Sequence, residues 1–166
     1  MSLNTEFLTS QVNSLAQALV QHDLMMATAE SCTGGGISHV LTSKAGSSAW
    51  FERGFVTYSN EAKQEMLGVS RSTIEEFGAV SEECAAEMAG GAVIYSRAAV
   101  AVSVTGIAGP DGGSPEKPVG TVCFGWHLHD VTTVSATHRF EGDREAVRQQ
   151  SISMALQGLI ELLDAQ

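Results

Sequence analysis

The hydrophobic residues near the start of the chain recur at intervals of three and four positions, at Leu8, Val12, Leu15 and Leu19. Such spacing places side chains on one face of a helix, so we predict an amphipathic helix over residues 4–22. The apolar run at residues 24–29 predicts a short strand. A glycine-rich turn follows, and apolar residues from Ile37 to Leu41 then return to helical spacing. The chain therefore opens with helix, strand, tight turn and helix.

The middle of the chain continues this alternation. Ser59 and Asn60 are good helix N-caps and follow a run of apolar and aromatic residues. Ser81, followed by two glutamates, resembles the start of a longer alanine-rich helix. The predicted elements are a strand at 51–58, helices at 60–67, 72–77 and 81–97, and a buried strand at 98–104.

The last third of the chain begins with an irregular segment at residues 105–120, which contains five glycines and all three prolines. That composition breaks helices and strands, so a long loop is predicted. Residues 121–128 and 131–140 alternate β-forming side chains and predict a hairpin. Gly142 and Asp143 then precede a final helix that reaches residue 163.

Helices interleaved with buried strands predict an α/β fold built on a layered sheet. The closing hairpin makes at least one strand antiparallel to the others, so we predict a mixed, mostly parallel sheet of about five strands. The chain has 166 residues, of which 43% are hydrophobic, and this size is typical of one hydrophobic core. We therefore expect a single domain over residues 1–166.

Composition narrows the possible partners. Nine Lys and Arg residues oppose nineteen Asp and Glu residues, and the resulting net charge of −10 argues against a nucleic-acid-binding surface. No run approaches the roughly 20 apolar residues of a membrane span, and the first residues lack the features of a signal peptide. We expect a cytoplasmic protein without membrane attachment. Cys32, Cys84 and Cys123 are spaced too widely for a disulfide framework or a zinc site and are expected to be reduced.

Candidate chemistry gathers in three segments that follow predicted strands, at residues 30–36, 58–63 and 105–120. Ligands of open α/β sheets bind beyond the carboxyl ends of the strands, so these segments are expected to share one edge. Ser31 precedes a run of glycines at a predicted helix start, where N–H groups bind a phosphate or hold a reacting carbonyl. Close packing, with Ser31 as an ordinary N-cap, explains the same residues. The sequence alone leaves both interpretations open.

Lys63 is a candidate base for Ser31. It falls in the first turn of a predicted helix, where the helix dipole disfavours an ammonium, and partial burial would further favour the neutral amine. The alternative is a solvated surface lysine, which is the common state of this residue. Tyr58 ends a predicted strand, where its hydroxyl could relay a proton or orient a substrate; the alternative is a partly buried structural tyrosine.

The loop that begins at Thr105 could expose several N–H groups as a pocket for an oxyanion or a phosphate, although a rigid surface loop is the alternative. Arg144 lies at a helix start, a poor place for a cation unless it holds an anion, and a solvated arginine is the other possibility. Cys32 is a second candidate nucleophile, because thiol pKa values fall at helix N-termini; small hydrophobic filler is the other reading. His127 and His129 lack further metal-binding neighbours, so no metal site is predicted.

Several long motifs resemble the CinA C-terminal domain family, in particular its stand-alone nicotinamide-nucleotide amidohydrolases. The matching stretches are residues 28–35 (TAESCTGG), 54–63 (GFVTYSNEAK), 78–81 (GAVS), 105–113 (TGIAGPDGG) and 117–122 (KPVGTV). The resemblance implies a three-layer α/β/α sandwich. It also implies hydrolysis of the carboxamide of nicotinamide mononucleotide to nicotinic acid mononucleotide and ammonia, as a step of NAD recycling that needs no cofactor.

Applied to matching positions, the resemblance implies that Ser31 is the nucleophile, Lys63 its base and Tyr58 a relay or orienting group. The residues expected to bind substrate are Glu30, Cys32, Thr33, Gly34, Gly35, Thr105, Gly106, Ile107, Ala108, Gly109 and Arg144. The resemblance also implies a homodimer or a higher homo-oligomer, since family members commonly form dimers. Many family members carry an extra N-terminal nucleotide-hydrolysing domain, which this chain is expected to lack.

The sequence is also compatible with two rival interpretations. The first is a non-catalytic domain that binds pyridine nucleotides and regulates a partner in competence or DNA damage, because folds and sites persist after activity is lost. The second retains hydrolysis but uses Cys32 as the nucleophile.

Overall fold

The computed structural model describes residues 5–166. Its helices are α1 (Thr5–Gln21), α2 (Gly36–Thr42), α3 (Asn60–Leu67), α4 (Arg71–Phe77), α5 (Glu82–Ile94) and α6 (Arg144–Asp164), with one 3₁₀ turn at Ser47–Ala49. Its strands are β1 (Met26–Glu30), β2 (Phe51–Val56), β3 (Val100–Gly106), β4 (Thr121–Leu128) and β5 (Thr132–Arg139). None of these helices is long and apolar enough to cross a membrane.

The five strands form one mixed sheet in the order β2-β1-β3-β4-β5. β2, β1 and β3 pair in parallel, whereas β4 pairs antiparallel with both β3 and β5. Four strands therefore point in one direction and β4 opposes them. The predicted α/β class and mixed sheet are confirmed.

Helices cover both faces of the sheet. One face packs against α1, α2 and α6 through large side chains that include Val100, Val102 and Phe124. The other face presents small residues, among them Ala27 and Ala101, and packs against α3 and α5. Because alternate residues of a strand point to opposite faces, each buried strand serves both layers, which gives the α/β/α sandwich.

Several predicted boundaries shift. The first strand is confirmed but occupies Met26–Glu30 instead of residues 24–29, and position 4 of the first helix lies outside the described residues. Thr105 and Gly106 belong to β3 and not to the loop, because they pair with Cys123 and Val122 of β4. The long helix α5 ends at Ile94, three residues before its predicted end.

The largest local difference lies at the glycine-rich turn. The sequence predicted a tight turn followed by a helix, with Ser31 at the helix start; in the structure residues 31–35 form a non-helical turn, and α2 starts only at Gly36. Gly34 and Gly35 have φ angles of 58° and 94°. That left-handed region favours glycine, so consecutive glycines here serve a turn and not a helix start.

Candidate active site

The carboxyl ends of three parallel strands bring the candidate residues together. The N–H of Ser31 donates to Val104 O at 3.0 Å, and the N–H of Thr57 donates to Glu30 O at 2.8 Å. The parallel pairing therefore continues one residue beyond the strands. As a result, Ser31 after β1, the backbone of Tyr58 after β2 and the end of β3 meet at one edge of the sheet, where ligands of such folds bind.

Ser31 and Lys63 are in direct contact. Lys63 Nζ lies 3.0 Å from Ser31 Oγ. The lysine stands in the first turn of α3, whose N-cap is Ser59; the Ser59 hydroxyl accepts the N–H of Ala62. Lys63 is 2% exposed and Ser31 is 7% exposed. The alternative of a solvated surface lysine is thus wrong, and the two side chains lie within the reach that proton transfer requires.

Burial makes the charged form of Lys63 less favourable than it is in water. Its Nζ donates to Thr57 O at 3.2 Å and to Tyr58 O at 3.1 Å, and no salt bridge of the described residues involves it. Burial lowers its pKa, since removal from water penalises the ammonium. Lys63 Nζ also donates to Ser31 Oγ, and the Ser31 hydroxyl donates to Tyr58 O at 3.4 Å. Once the amine is neutral, its lone pair can accept the proton of Ser31. This arrangement suits a general base.

Glu30 fixes the turn after Ser31 instead of facing a substrate. The Glu30 side chain is fully buried. Its Oε1 accepts from the Thr33 hydroxyl at 2.7 Å and from Ile37 N–H at 2.8 Å. Its Oε2 accepts from Ser38 N–H at 3.0 Å and from the Ser38 hydroxyl at 2.7 Å. The first free N–H groups of α2 are therefore taken by a carboxylate of the chain itself and are not available to an anion.

A cavity of about 270 Å³ opens above the contact between Ser31 and Lys63. Of the predicted site residues, the following line it: Ser31, Cys32, Tyr58, Lys63, Thr105, Gly106, Ile107, Ala108, Gly109 and Arg144. Those outside its lining are Glu30, Thr33, Gly34 and Gly35. Lining residues absent from the predicted set are Asn60, Ala79, Val80, Asp111 and Gly112. All five fall inside the segments that carried the family resemblance, which is the signal that would have found them.

Larger depressions occur elsewhere on the surface. One of about 690 Å³ lies beside Glu82, Glu83 and Lys117. Its Ser135 hydroxyl donates to the carboxylate of Glu82 at 3.1 Å, but among its described lining residues no serine or cysteine contacts a lysine or histidine. We therefore place the candidate site in the smaller cavity, where a nucleophile and a base touch.

The family comparison adds to this geometry. The sequence model of the CinA C-terminal domain matches residues 8–163. The chain belongs to the CinA C-terminal domain family. It is 57% identical over 143 residues to "Nicotinamide-nucleotide amidohydrolase PncC" of Enterobacter agglomerans, which covers 86% of this chain and 87% of that protein. A protein of the same name from Escherichia coli strain K12 is 55% identical over 145 residues, or 87% of this chain and 88% of the relative.

A solved structure shares the fold. The competence/damage inducible protein CihA from Agrobacterium tumefaciens superposes with a TM-score of 0.93 at 45% identity, over 98% of this chain and 99% of the other. The resemblance inferred from the motifs is thus confirmed at the level of the CinA family and its fold.

Arg144 and Tyr58 form the rim of this CinA-family cavity. Arg144 Nη1 donates to Gly109 O at 2.7 Å, and Nη2 donates to the Tyr58 hydroxyl at 3.3 Å. Tyr58 is 62% exposed and meets Lys63 through its backbone carbonyl, not its hydroxyl. Because Ser31 and Lys63 touch directly, no proton relay through Tyr58 is needed. Thr105 donates its hydroxyl to Ala79 O at 2.9 Å and so joins two walls of the cavity.

Cys32 differs from the reactive thiol considered above. It does not lie at a helix N-terminus, and burial raises the pKa of its thiol to about 11. The alternative of a thiol with a lowered pKa is therefore wrong, whereas small buried filler agrees with its burial. His127 shares a hydrogen bond with Thr133 at 2.7 Å, far along the sheet from the cavity. Within residues 5–166, no group of three or more His, Cys, Asp or Glu side chains is placed to hold a metal ion.

Proposed function

We propose that this protein hydrolyses the carboxamide of nicotinamide mononucleotide to nicotinic acid mononucleotide and ammonia. The relatives named as nicotinamide-nucleotide amidohydrolases support the substrate class, because they match this chain over most of both lengths. The observation that carries the chemistry is the 3.0 Å contact between Ser31 Oγ and the buried Lys63 Nζ. A serine beside a neutral amine is an activated nucleophile.

The proposed reaction has two halves. In the first, Ser31 Oγ attacks the carboxamide carbon while its proton passes to Lys63. Protonated Lys63 then donates that proton to the departing nitrogen, so that ammonia leaves and an ester to Ser31 remains. In the second, Lys63 takes a proton from water, which attacks the ester, and returns it to Ser31 Oγ. The scheme uses no metal and no cofactor.

The oxyanion of each tetrahedral intermediate needs hydrogen-bond donors. The N–H of Cys32 directly follows the nucleophile and, within the described residues, donates to no carbonyl or carboxylate. We assign it as one donor, by analogy with the residue after the nucleophile in other serine hydrolases. Removal of one such donor costs about 2.7–4 kcal/mol of transition-state stabilisation in a well-studied hydrolase.

Arg144 is the proposed phosphate ligand. A guanidinium has five N–H donors, of which two are used on Gly109 and Tyr58, so the others remain for a phosphate. A local cation is needed because the net charge of −10 repels an anionic substrate. The cavity of about 270 Å³ is close to the lower end of ligand pockets, which is roughly 300 Å³, and suits a mononucleotide better than a whole dinucleotide.

The test is to incubate the purified protein with nicotinamide mononucleotide, free nicotinamide and NAD, and to follow ammonia release together with the pyridine ring signals by NMR. We expect conversion of the mononucleotide and much slower reaction of the other two. If a folded protein binds the mononucleotide but releases no ammonia, the non-catalytic binding domain replaces our proposal. The cytoplasmic location, the single-domain organisation and the homodimer stay predictions.

A further inference from the structure

Arg148 forms hydrogen bonds to the turn that contains Ser31. It lies on α6, one helical turn after Arg144, and about two thirds of its side chain is buried. Its Nε donates to Cys32 O and its Nη2 donates to Thr33 O, both at 3.2 Å. These carbonyls belong to the two residues that directly follow Ser31. No local feature of the sequence pointed to this contact, which spans more than a hundred residues of chain.

The carbonyls of Cys32 and Thr33 lack the hydrogen bonds that an α-helix would give them. In an α-helix, the N–H of Gly36 would donate to Cys32 O, four residues earlier. Instead it donates to Thr33 O at 2.9 Å, and the N–H of Ile37 donates to Glu30. Cys32 O would therefore be a buried acceptor without a partner, a state that folded proteins avoid. Arg148 supplies the missing donor.

Glu30 and Arg148 thus hold opposite groups of one turn. The carboxylate takes the N–H groups of Ile37 and Ser38, and the guanidinium takes the carbonyls of Cys32 and Thr33. These are the groups that would pair with one another or with their neighbours if α2 were to continue back toward Ser31. Together the two charged side chains disfavour that continuation.

We propose that Arg148 is a positioning residue: its guanidinium keeps residues 31–35 out of the helix and so holds Ser31 Oγ against Lys63 Nζ. An arginine suits this role because its planar fork presents two donors at a fixed spacing, whereas a lysine is a single point charge. Displacement of a reacting atom by about 1 Å lowers rates by about 100-fold. The catalytic readout rests on the proposed function, but the geometry does not.

The test compares Arg148→Met and Arg148→Lys with Arg71→Met, an exposed arginine paired with Glu75 on α4. We expect Arg148→Met to lower kcat on nicotinamide mononucleotide roughly 10–100-fold, with KM changed less than about threefold, because the chemistry is misaligned while binding persists. Arg148→Lys should fall between it and the wild type, and Arg71→Met should match the wild type. A further variant, Arg148→Ala, tests rescue: added guanidinium ion should restore part of its kcat, whereas added sodium ion should not.

A kcat for Arg148→Met within about threefold of the wild type, or a loss that only follows the unfolded fraction, would overturn the proposal. A crystal structure of Arg148→Met decides it without any substrate. There we expect Ser31 Oγ to lie beyond the hydrogen-bond reach of about 3.2 Å from Lys63 Nζ, and an unchanged contact contradicts the role. If the wild type releases no ammonia, the proposed function fails, and this distance alone decides the role of Arg148.

Discussion

Substitution of Glu30 by glutamine perturbs the candidate site at its most connected buried residue. Each carboxylate oxygen of Glu30 accepts one backbone N–H, from Ile37 on one side and Ser38 on the other. The amide of glutamine has one acceptor oxygen and one NH₂ donor, so either orientation turns the NH₂ toward a backbone N–H. Hydroxyl neighbours can rotate to adapt, but these N–H groups cannot. One buried donor must therefore lose its partner.

A buried donor left without a partner costs about 1–3 kcal/mol, so we expect Glu30→Gln to lower the free energy of unfolding by that amount. In a protein of this size the melting temperature shifts by about 2–4 °C for each kcal/mol of stability, so it should fall by roughly 2–12 °C. The measurement is urea-induced and thermal unfolding, with Glu145→Gln as the control variant. Glu145 is an exposed partner of Arg148 at 3.5 Å, so its substitution should change the free energy of unfolding by less than about 0.5 kcal/mol. Equal stability of Glu30→Gln and the wild type would refute the assignment of Glu30 to this turn.

Three further predictions concern charge and reactivity. Burial lowers the folded-state pKa of Lys63, so the unfolded chain binds more protons between that pKa and the ordinary value of 10.5. The free energy of unfolding of the wild type should therefore rise with pH through that window relative to that of Lys63→Met. The same difference between the two proteins at pH 7 and at pH 10 would contradict this prediction. The thiols of Cys32, Cys84 and Cys123 all have raised pKa values because of burial. Iodoacetamide at pH 8 should therefore leave ammonia release unchanged, and rapid inactivation would count against unreactive thiols. Arg144→Gln should raise KM for nicotinamide mononucleotide roughly 10–100-fold, with a smaller change in kcat, because one hydrogen bond to a charged group is lost. An unchanged KM in steady-state kinetics would show that Arg144 does not bind the phosphate.

The sequence predicted the architecture well because most of its signals are local. The interval of three and four between apolar residues in α1 reports directly which face is buried, and the alternation of β-forming residues in β4 and β5 predicts strands. The alternation of helices and strands then restricts the sheet to a few topologies. Because ligands of open α/β sheets bind beyond the carboxyl ends of the strands, the sequence also predicted residues 31, 63 and 105 near one edge.

The details of the site depend on tertiary contacts, which local patterns do not encode. Lys63 is buried because α3 turns its side chain toward Ser31 and the backbone that follows β2, although a lysine at a helix start is usually solvated. The helix expected at Ser31 is displaced because Glu30, which precedes the turn, caps α2 from the strand side. The partners of Arg144 and Arg148 lie far away along the chain, so nothing near these arginines in the sequence could identify them.

The central claim is that Ser31 is the nucleophile and Lys63 its base, and ammonia release by matched variants tests it most directly. The variants are Ser31→Ala, Lys63→Met and Cys32→Ala, each shown to be folded by its unfolding curve. We predict that Ser31→Ala and Lys63→Met lower kcat by at least about 1,000-fold, as removal of a nucleophile or base does in a serine hydrolase. Cys32→Ala should retain kcat within about threefold. Release by Ser31→Ala at a rate close to that of the wild type, or its loss in Cys32→Ala alone, would contradict the claim.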